Sequence, residues 1–421
     1  MQVHTSIEKY YKEPLYRNSF LNILNGVVGA VFGLLFWMVA TRQMTSGNLG
    51  IVNAIISAAT LILVVSRLGM DTGIVRFLAR SPDKNSLYNG SSFITLSVAL
   101  GLTAVFIIGL DWFSPTLILL RQSDILFAFF VYILVNSMYY MQSITLLSLR
   151  RSDINFAQNL ILGIRVPLLF FLYYLFPNTL GILLILDVSY MGAFLFSRIV
   201  LSKTGLRFTT KVNWGQIRKS WKYSLGGYTS NLFAIMPTTL LPIIIINTLG
   251  PSSNAYFFIA YTIASFIMMI PNSICSALFV EGSHDMPVRD ISIKSLKLIF
   301  ALLIPLSLFM FLFGDMILML FNKEYSLQSF EILRLLVLSN IFSAVTLFYI
   351  SIKKIQKDMG IVNLINSSIT VMIILLSYFF IGIYGLVGVG YAWLLTNLLA
   401  FIFILGIVLK TKAWRNKNLL H

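Results

Sequence analysis

The chain has 421 residues, 58% of them hydrophobic and 11% charged, where a soluble domain carries about a quarter charged. Lys and Arg number 31 against 15 Asp and Glu, for a net charge of +16. One cysteine, Cys275, and three scattered histidines, His4, His284 and His421, exclude a disulfide frame and a metal cluster, and the composition puts the chain in a membrane.

Residues 1–17 are polar and aromatic, and the apolar run after them is too long for a signal-peptide core, so it is expected to stay as the first span. Apolar runs of about 20 residues follow in chain order at 18–40, 48–66, 90–110, 124–148, 154–176, 179–200, 222–246, 254–278, 295–320, 328–350, 359–381 and 384–408. Pro177-Asn178 and Gly382-Ile383 read as tight turns between antiparallel neighbours. The connections leave no room for a soluble catalytic domain. Pro167, Pro237, Pro242, Pro271 and Pro305 fall inside predicted spans, where each removes a backbone donor and invites a bend. Two prolines in the seventh span make it the expected bending element.

Placing the N-terminus on the cytoplasmic side puts every Lys and Arg there except Arg42, Arg121, Lys323 and Arg334, which fall outside, and Arg165, which falls within the fifth span. The positive-inside rule therefore predicts both termini in the cytoplasm and accounts for the basic excess without a nucleic-acid partner. Trp112, Trp221 and Trp414 lie near span ends, as an aromatic belt would have them.

The polar loop Leu201–Lys222 divides the spans six and six, giving an expected N-terminal half at 1–210 and a C-terminal half at 211–421. Sliding the second half back by 205 positions superposes Arg17 on Lys222, Ser57 on Thr262, Ala59 on Ala264 and Ile62 on Ile267, and nearly the same shift brings Arg150-Arg151 onto Lys353-Lys354. An even number of spans per repeat runs both halves the same way through the bilayer. The expected fold is all-α, twelve transmembrane helices in two six-helix bundles related by a pseudo-two-fold axis along the membrane normal, with a site between them.

The run Phe32-Gly33-Leu34-Leu35-Phe36-Trp37-Met38-Val39-Ala40-Thr41-Arg42, followed by Gly50 and then by Ser66-Arg67-Leu68-Gly69-Met70-Asp71-Thr72-Gly73-Ile74-Val75-Arg76-Phe77-Leu78, resembles the opening spans of polysaccharide flippases. The nearest type is the O-antigen (Wzx-like) flippase of the multidrug/oligosaccharidyl-lipid/polysaccharide exporter superfamily. That resemblance covers about the first ninety residues. It implies a transporter, not an enzyme, that turns a lipid-diphosphate-linked oligosaccharide from the cytoplasmic to the outer leaflet of a prokaryotic cell membrane by alternating access. A cationic cavity meeting an anionic head group is implied with it. The implied partners are that lipid-linked glycan and the membrane lipids, with other polysaccharide-assembly proteins left open. A drug or cation antiporter of the same superfamily and a membrane-embedded polysaccharide-biosynthesis enzyme are the competing readings; the short outer loops hold few acids or His for acid/base work.

Arg165 is the first candidate substrate contact. A guanidinium at bilayer mid-depth costs about 2.5–3.5 kcal/mol on insertion scales unless it faces protein, water or an anion, and its fork matches phosphate oxygens. Asp187 on the next span, at similar depth, is the alternative partner, which would make Arg165 half of an internal ion pair. Arg67 and Asp71, four apart, share a helix face if the second span continues that far, and with Arg76 they could gate the inner mouth or simply be inner-loop charges. Arg42 is basic where bases are scarce, as a head-group contact or a snorkelling side chain. Asn25 and Asn231 are the amides singled out for sugar hydroxyls, against the commoner use of such residues as helix-to-helix bonds. Asp71, Asp187, Glu281 and Asp285 are the acids that could couple transport to H+ or Na+; no cofactor or metal is otherwise expected.

Overall fold

The computed structural model describes residues 14–203, 205–206, 213–282 and 288–417. All twelve predicted spans recur among them as helices long and apolar enough to cross a membrane, shifted by a few residues at their ends. Asp285 lies outside the described residues, as do residues 207–212, where the sequence puts the boundary between halves.

In chain order the helices are α1 (Pro14–Gln43), α2 (Ser46–Ser66), α3 (Met70–Phe77), α4 (Lys84–Ile108), α5 (Ser123–Ser148), α6 (Ser152–Leu162), α7 (Arg165–Leu175), α8 (Thr179–Lys203), α9 (Trp214–Leu249), α10 (Pro251–Gly282), α11 (Val288–Met319), α12 (Lys323–Ile355), α13 (Met359–Tyr384) and α14 (Val387–Lys417). Short polar side chains start several of them by accepting from free N–H groups of the first turn. Thr45 accepts from Asn48 N at 3.3 Å, Asp83 from Ser86 N at 2.9 Å and Asp358 from Ile361 N at 3.3 Å. Asn178 Oδ1 accepts from Leu180 N at 2.9 Å, so the turn expected at Pro177-Asn178 is present.

The last turn falls elsewhere than expected. Gly382 and Ile383 are still in α13, and the chain reverses at Gly385, whose φ of +59° is a conformation that glycine takes without strain. Nor do the prolines of α9 interrupt it: one helix runs through Pro237 and Pro242. The fifth span is the broken one. Pro167 has no N–H for the carbonyl of Gly163 and its ring crowds that carbonyl, so α6 ends at Leu162 and α7 begins at Arg165. The Gly163 carbonyl turns to Val166 N instead, at 3.1 Å. A second break ends α2 at Ser66, with Leu68 and Gly69 both at positive φ before α3 starts.

The chain divides into two compact units, Met1–Tyr228 and Thr229–His421. In the first, α5 packs on α8 and α4, α1 lies against α6 and α7, and α2 is buried along most of its length on small residues such as Ala54, Ala58 and Ala59. In the second, α12 is central, packed by α10, α11 and α14, with α13 on α14. Amides tie this unit together: Asn340 donates to the Ala264 carbonyl at 2.8 Å and Asn397 to Ser339 Oγ at 3.1 Å. Spans begin at matching distances in the two units, Ser46 against Pro251 and Lys84 against Val288, close to the 205-residue offset seen in the sequence.

A Cβ on Gly388 would meet the Phe380 carbonyl across the last turn, whereas one on Gly382 would meet nothing within 4 Å. Gly388→Ala should therefore destabilise the protein by about 1–3 kcal/mol, and Gly382→Ala should not. A thiol-reactive dye reporting release of the buried Cys275 during heating reads both.

Candidate functional site

Arg165 opens α7 directly after the break, thirteen residues past the start of α6 and ten before the end of α7. At about 1.5 Å per residue that is the middle of the span. An arginine in the first turn of a helix adds to the positive end of the helix dipole rather than offsetting it. The side chain lies against α1. Its Cζ is 5.5 Å from the ring centroid of Phe36, and Gly33 lies alongside, where a built Cβ would stand in ordinary contact at 3.6 Å from a guanidinium nitrogen. Arg165 Nε is buried with no hydrogen-bond partner.

No ion pair joins Arg165 to Asp187 among the described residues, where the pairs are Arg121 with Asp111, Arg151 with Asp153 and Lys353 with Asp358. Asp187 is buried on α8 at 6% exposure, and its Oδ1 also has no partner. Tyrosines stand around the two charges. Tyr132 on α5 lies within electrostatic reach of both Asp187 and Arg165, and Tyr139 within reach of Arg165. Both rings meet Tyr190 edge-on, with centroids 5.8 and 5.2 Å away. An apolar-faced cation–π contact supplies about 0.5–2 kcal/mol, less than the insertion cost of the guanidinium. Water or an anion is needed to meet the remaining N–H groups.

Asn25 joins this neighbourhood from α1: its carbonyl accepts from Asn159 Nδ2 at 2.8 Å, while its own Oδ1 is buried without a partner. Gln158, one residue before Asn159, is fully buried with neither amide atom bonded. The buried tyrosines and Gln158 were missed in the sequence. Their signal was position, since Tyr132, Tyr139 and Tyr190 sit mid-span, where a belt residue does not belong.

A second cluster involves the next residue of α5. Arg67 and Asp71 do not share a helix face, because the chain breaks between α2 and α3. They meet on Tyr140 instead. Its ring centroid lies 3.4 Å from the Arg67 guanidinium carbon, and its hydroxyl donates to Asp71 Oδ2 at 3.2 Å. Tyr139 and Tyr140 thus present Arg165 and Arg67 to neighbouring sides of one helix. Tyr228 OH also reaches this corner, donating to the Val65 carbonyl at 2.8 Å.

The other candidates stand apart. Arg42 and Arg76 are exposed at helix ends, the latter 5.8 Å from the Phe77 ring centroid. Glu281 is exposed near the end of α10, and Asn231 is exposed on α9 in the second unit. There Ser230 and Asn366, not Asn231, make the helix-to-helix bond, at 2.9 Å.

Tyr140→Phe should cost about 1 kcal/mol of stability through loss of the bond to Asp71. A double-mutant cycle of Arg67→Ala with Tyr140→Leu, read by thermal unfolding, should give a coupling of about 1 kcal/mol; additive effects would mean that the stacked geometry contributes nothing.

No protein-family model matches the chain. A protein of Shigella flexneri described as "Putative O-antigen transporter" is 25% identical over 177 residues, a stretch that spans 41% of this chain and 42% of that protein. An inward-facing multidrug resistance MATE family transporter of the MOP superfamily superposes with a TM-score of 0.71 at 14% identity, covering 92% of this chain and 96% of that one. The lipid II flippase MurJ in its inward closed conformation gives a TM-score of 0.71 at 15% identity over 93% of this chain and 87% of its own. These relatives are transporters and flippases, not enzymes. The chain shares its fold with that MATE transporter of the MOP superfamily and with the flippase MurJ.

Proposed function

We propose that this membrane protein is a flippase that carries a lipid-diphosphate-linked oligosaccharide from the cytoplasmic to the outer leaflet of a prokaryotic cell membrane by alternating access. The carrying observation is Arg165, a mid-span guanidinium with a buried, unbonded Nε and no carboxylate paired to it. A diphosphate supplies what that group lacks: negative charge and oxygens spaced for its fork. The names of the O-antigen transporter and the lipid II flippase support the same class of cargo. In this reading the basic ends of the helices lie in the cytoplasm with both termini, the glycan meets amides such as Asn25 and Asn231, and the lipid tail stays in the bilayer. Arg42 and Arg67 serve as contacts toward the two mouths, with Arg76 and Asp71 gating the inner one.

Asp187 is the acid best suited to couple the cycle to H+ or Na+, since it is buried within a span without a partner for Oδ1. Glu281 and Asp71 are the other candidates. The same buried carboxylate also favours the second reading, a drug or cation exporter, because a cationic cargo would seek it.

Arg165→Ala should lower surface glycan at least tenfold in cells depending on this protein, at normal membrane levels, as expected for loss of a charged hydrogen bond of about 1.5–3 kcal/mol. Arg165→Lys should restore part of it. Exchanging the charges, Arg165→Asp with Asp187→Arg, should restore nothing, because the two do not pair. Undiminished glycan in Arg165→Ala, with drug efflux lost in Asp187→Asn, would replace this reading with the exporter.

A further inference from the structure

Between α8 and α9 the chain is fastened to the first unit rather than left as a free linker. Asn213 N donates to Ser86 Oγ at 2.6 Å, Asn85 Nδ2 to the Gly205 carbonyl at 3.4 Å, and Leu206 and Ile217 enter the core formed by Met70, Leu87 and Tyr88. Beside Ile217 a groove of about 340 Å³ opens, floored by Leu68, Met70 and Ile94 and walled by Trp214 and Trp221. Its lining is almost wholly apolar, and the one charged residue in it is Arg218.

The spacing of Trp214, Ile217, Arg218 and Trp221 puts all four on one stripe of α9. Trp214 is 58% and Trp221 38% exposed, and Arg218 is exposed at the groove. Indoles flanking a cation on a helix just before it becomes a membrane span mark the depth of lipid head groups. From Trp214 to Lys222 the helix carries Arg218, Lys219 and Lys222 and no acid, and the nearby Asp71 already accepts from Tyr140. Charge and shape therefore agree on one occupant. We infer that this groove holds an acyl chain of an anionic membrane phospholipid, with Arg218 on its phosphate and the two indoles against its glycerol region. A zwitterionic lipid would also fill the groove, but its ammonium group would offset the phosphate at Arg218 and weaken the pairing. The site concerns the surrounding membrane rather than the cargo and stands whether or not the flippase reading does.

The test is fluorescence quenching in vesicles of the intact protein, with brominated phosphatidylglycerol or brominated phosphatidylcholine at equal mole fraction. Emission from the groove is the part lost in a Trp214→Phe, Trp221→Phe double variant. That part should be quenched by the glycerol lipid with about a fivefold preference, what one basic residue contributes at an anionic surface. Arg218→Lys should keep most of the preference and Arg218→Gln, at an exposed position, should remove it. Equal quenching by the two lipids, a preference that survives Arg218→Gln, or no quenching by either because protein covers the groove would each overturn the inference.

Discussion

A guanidinium at the centre of a membrane helix must have its N–H groups met from somewhere, because hydrocarbon offers no acceptor. Much of the first unit is arranged around that demand at Arg165. Pro167 breaks the fifth span four residues on from Gly163, Gly33 on α1 lies alongside the guanidinium, and Phe36 offers a ring face. None of these supplies an acceptor for Nε. Nor does Asp187, which is buried on α8 and forms no ion pair with it. Arg165 Nε and Asp187 Oδ1 are each left without a partner, and a local conflict of this kind is usually kept where a site must receive something.

The two units diverge where the charges are. The second and fifth spans of the first unit are interrupted, at Arg67 to Gly69 and at Gly163-Ile164, while α10 and α13 run unbroken at the corresponding places. At the repeat offset Arg165 corresponds to Thr370, whose hydroxyl donates to the Phe233 carbonyl, and Asp187 corresponds to Ala392, fully buried. A hydroxyl bonded to a neighbouring helix is the ordinary way to use polarity in a membrane. At this one position the first unit holds a guanidinium whose Nε is unbonded and the second a hydroxyl that is bonded. Among the amides, Asn340, Asn366 and Asn397 make helix-to-helix bonds in the second unit, while buried amide atoms stay unbonded on Asn25 and Gln158 in the first unit and on Asn363 in the second.

Consecutive tyrosines on α5 serve different neighbours. Tyr139 turns to Arg165 and Tyr190, and Tyr140 to Arg67 and Asp71, because successive helical residues point about 100° apart. Both clusters are therefore held by one rigid element.

Twelve spans, the 205-residue repeat and the singular position of Arg165 follow from the sequence alone, since a run of about 20 apolar residues has one stable fate in a bilayer and a charge within it stands out by rarity. The proline that breaks the fifth span was also visible, although Pro237 and Pro242, equally visible, leave α9 continuous. What periodicity does not carry is which side chains meet. Arg165 and Asp187 match in depth yet do not pair, Arg67 and Asp71 match in spacing yet meet only through Tyr140, and the last turn waits for the glycine at 385 that can take a positive φ. Depth along a helix is set by counting residues, but contact depends on the rotation and breaks of each helix, and these are fixed only when all the neighbours pack.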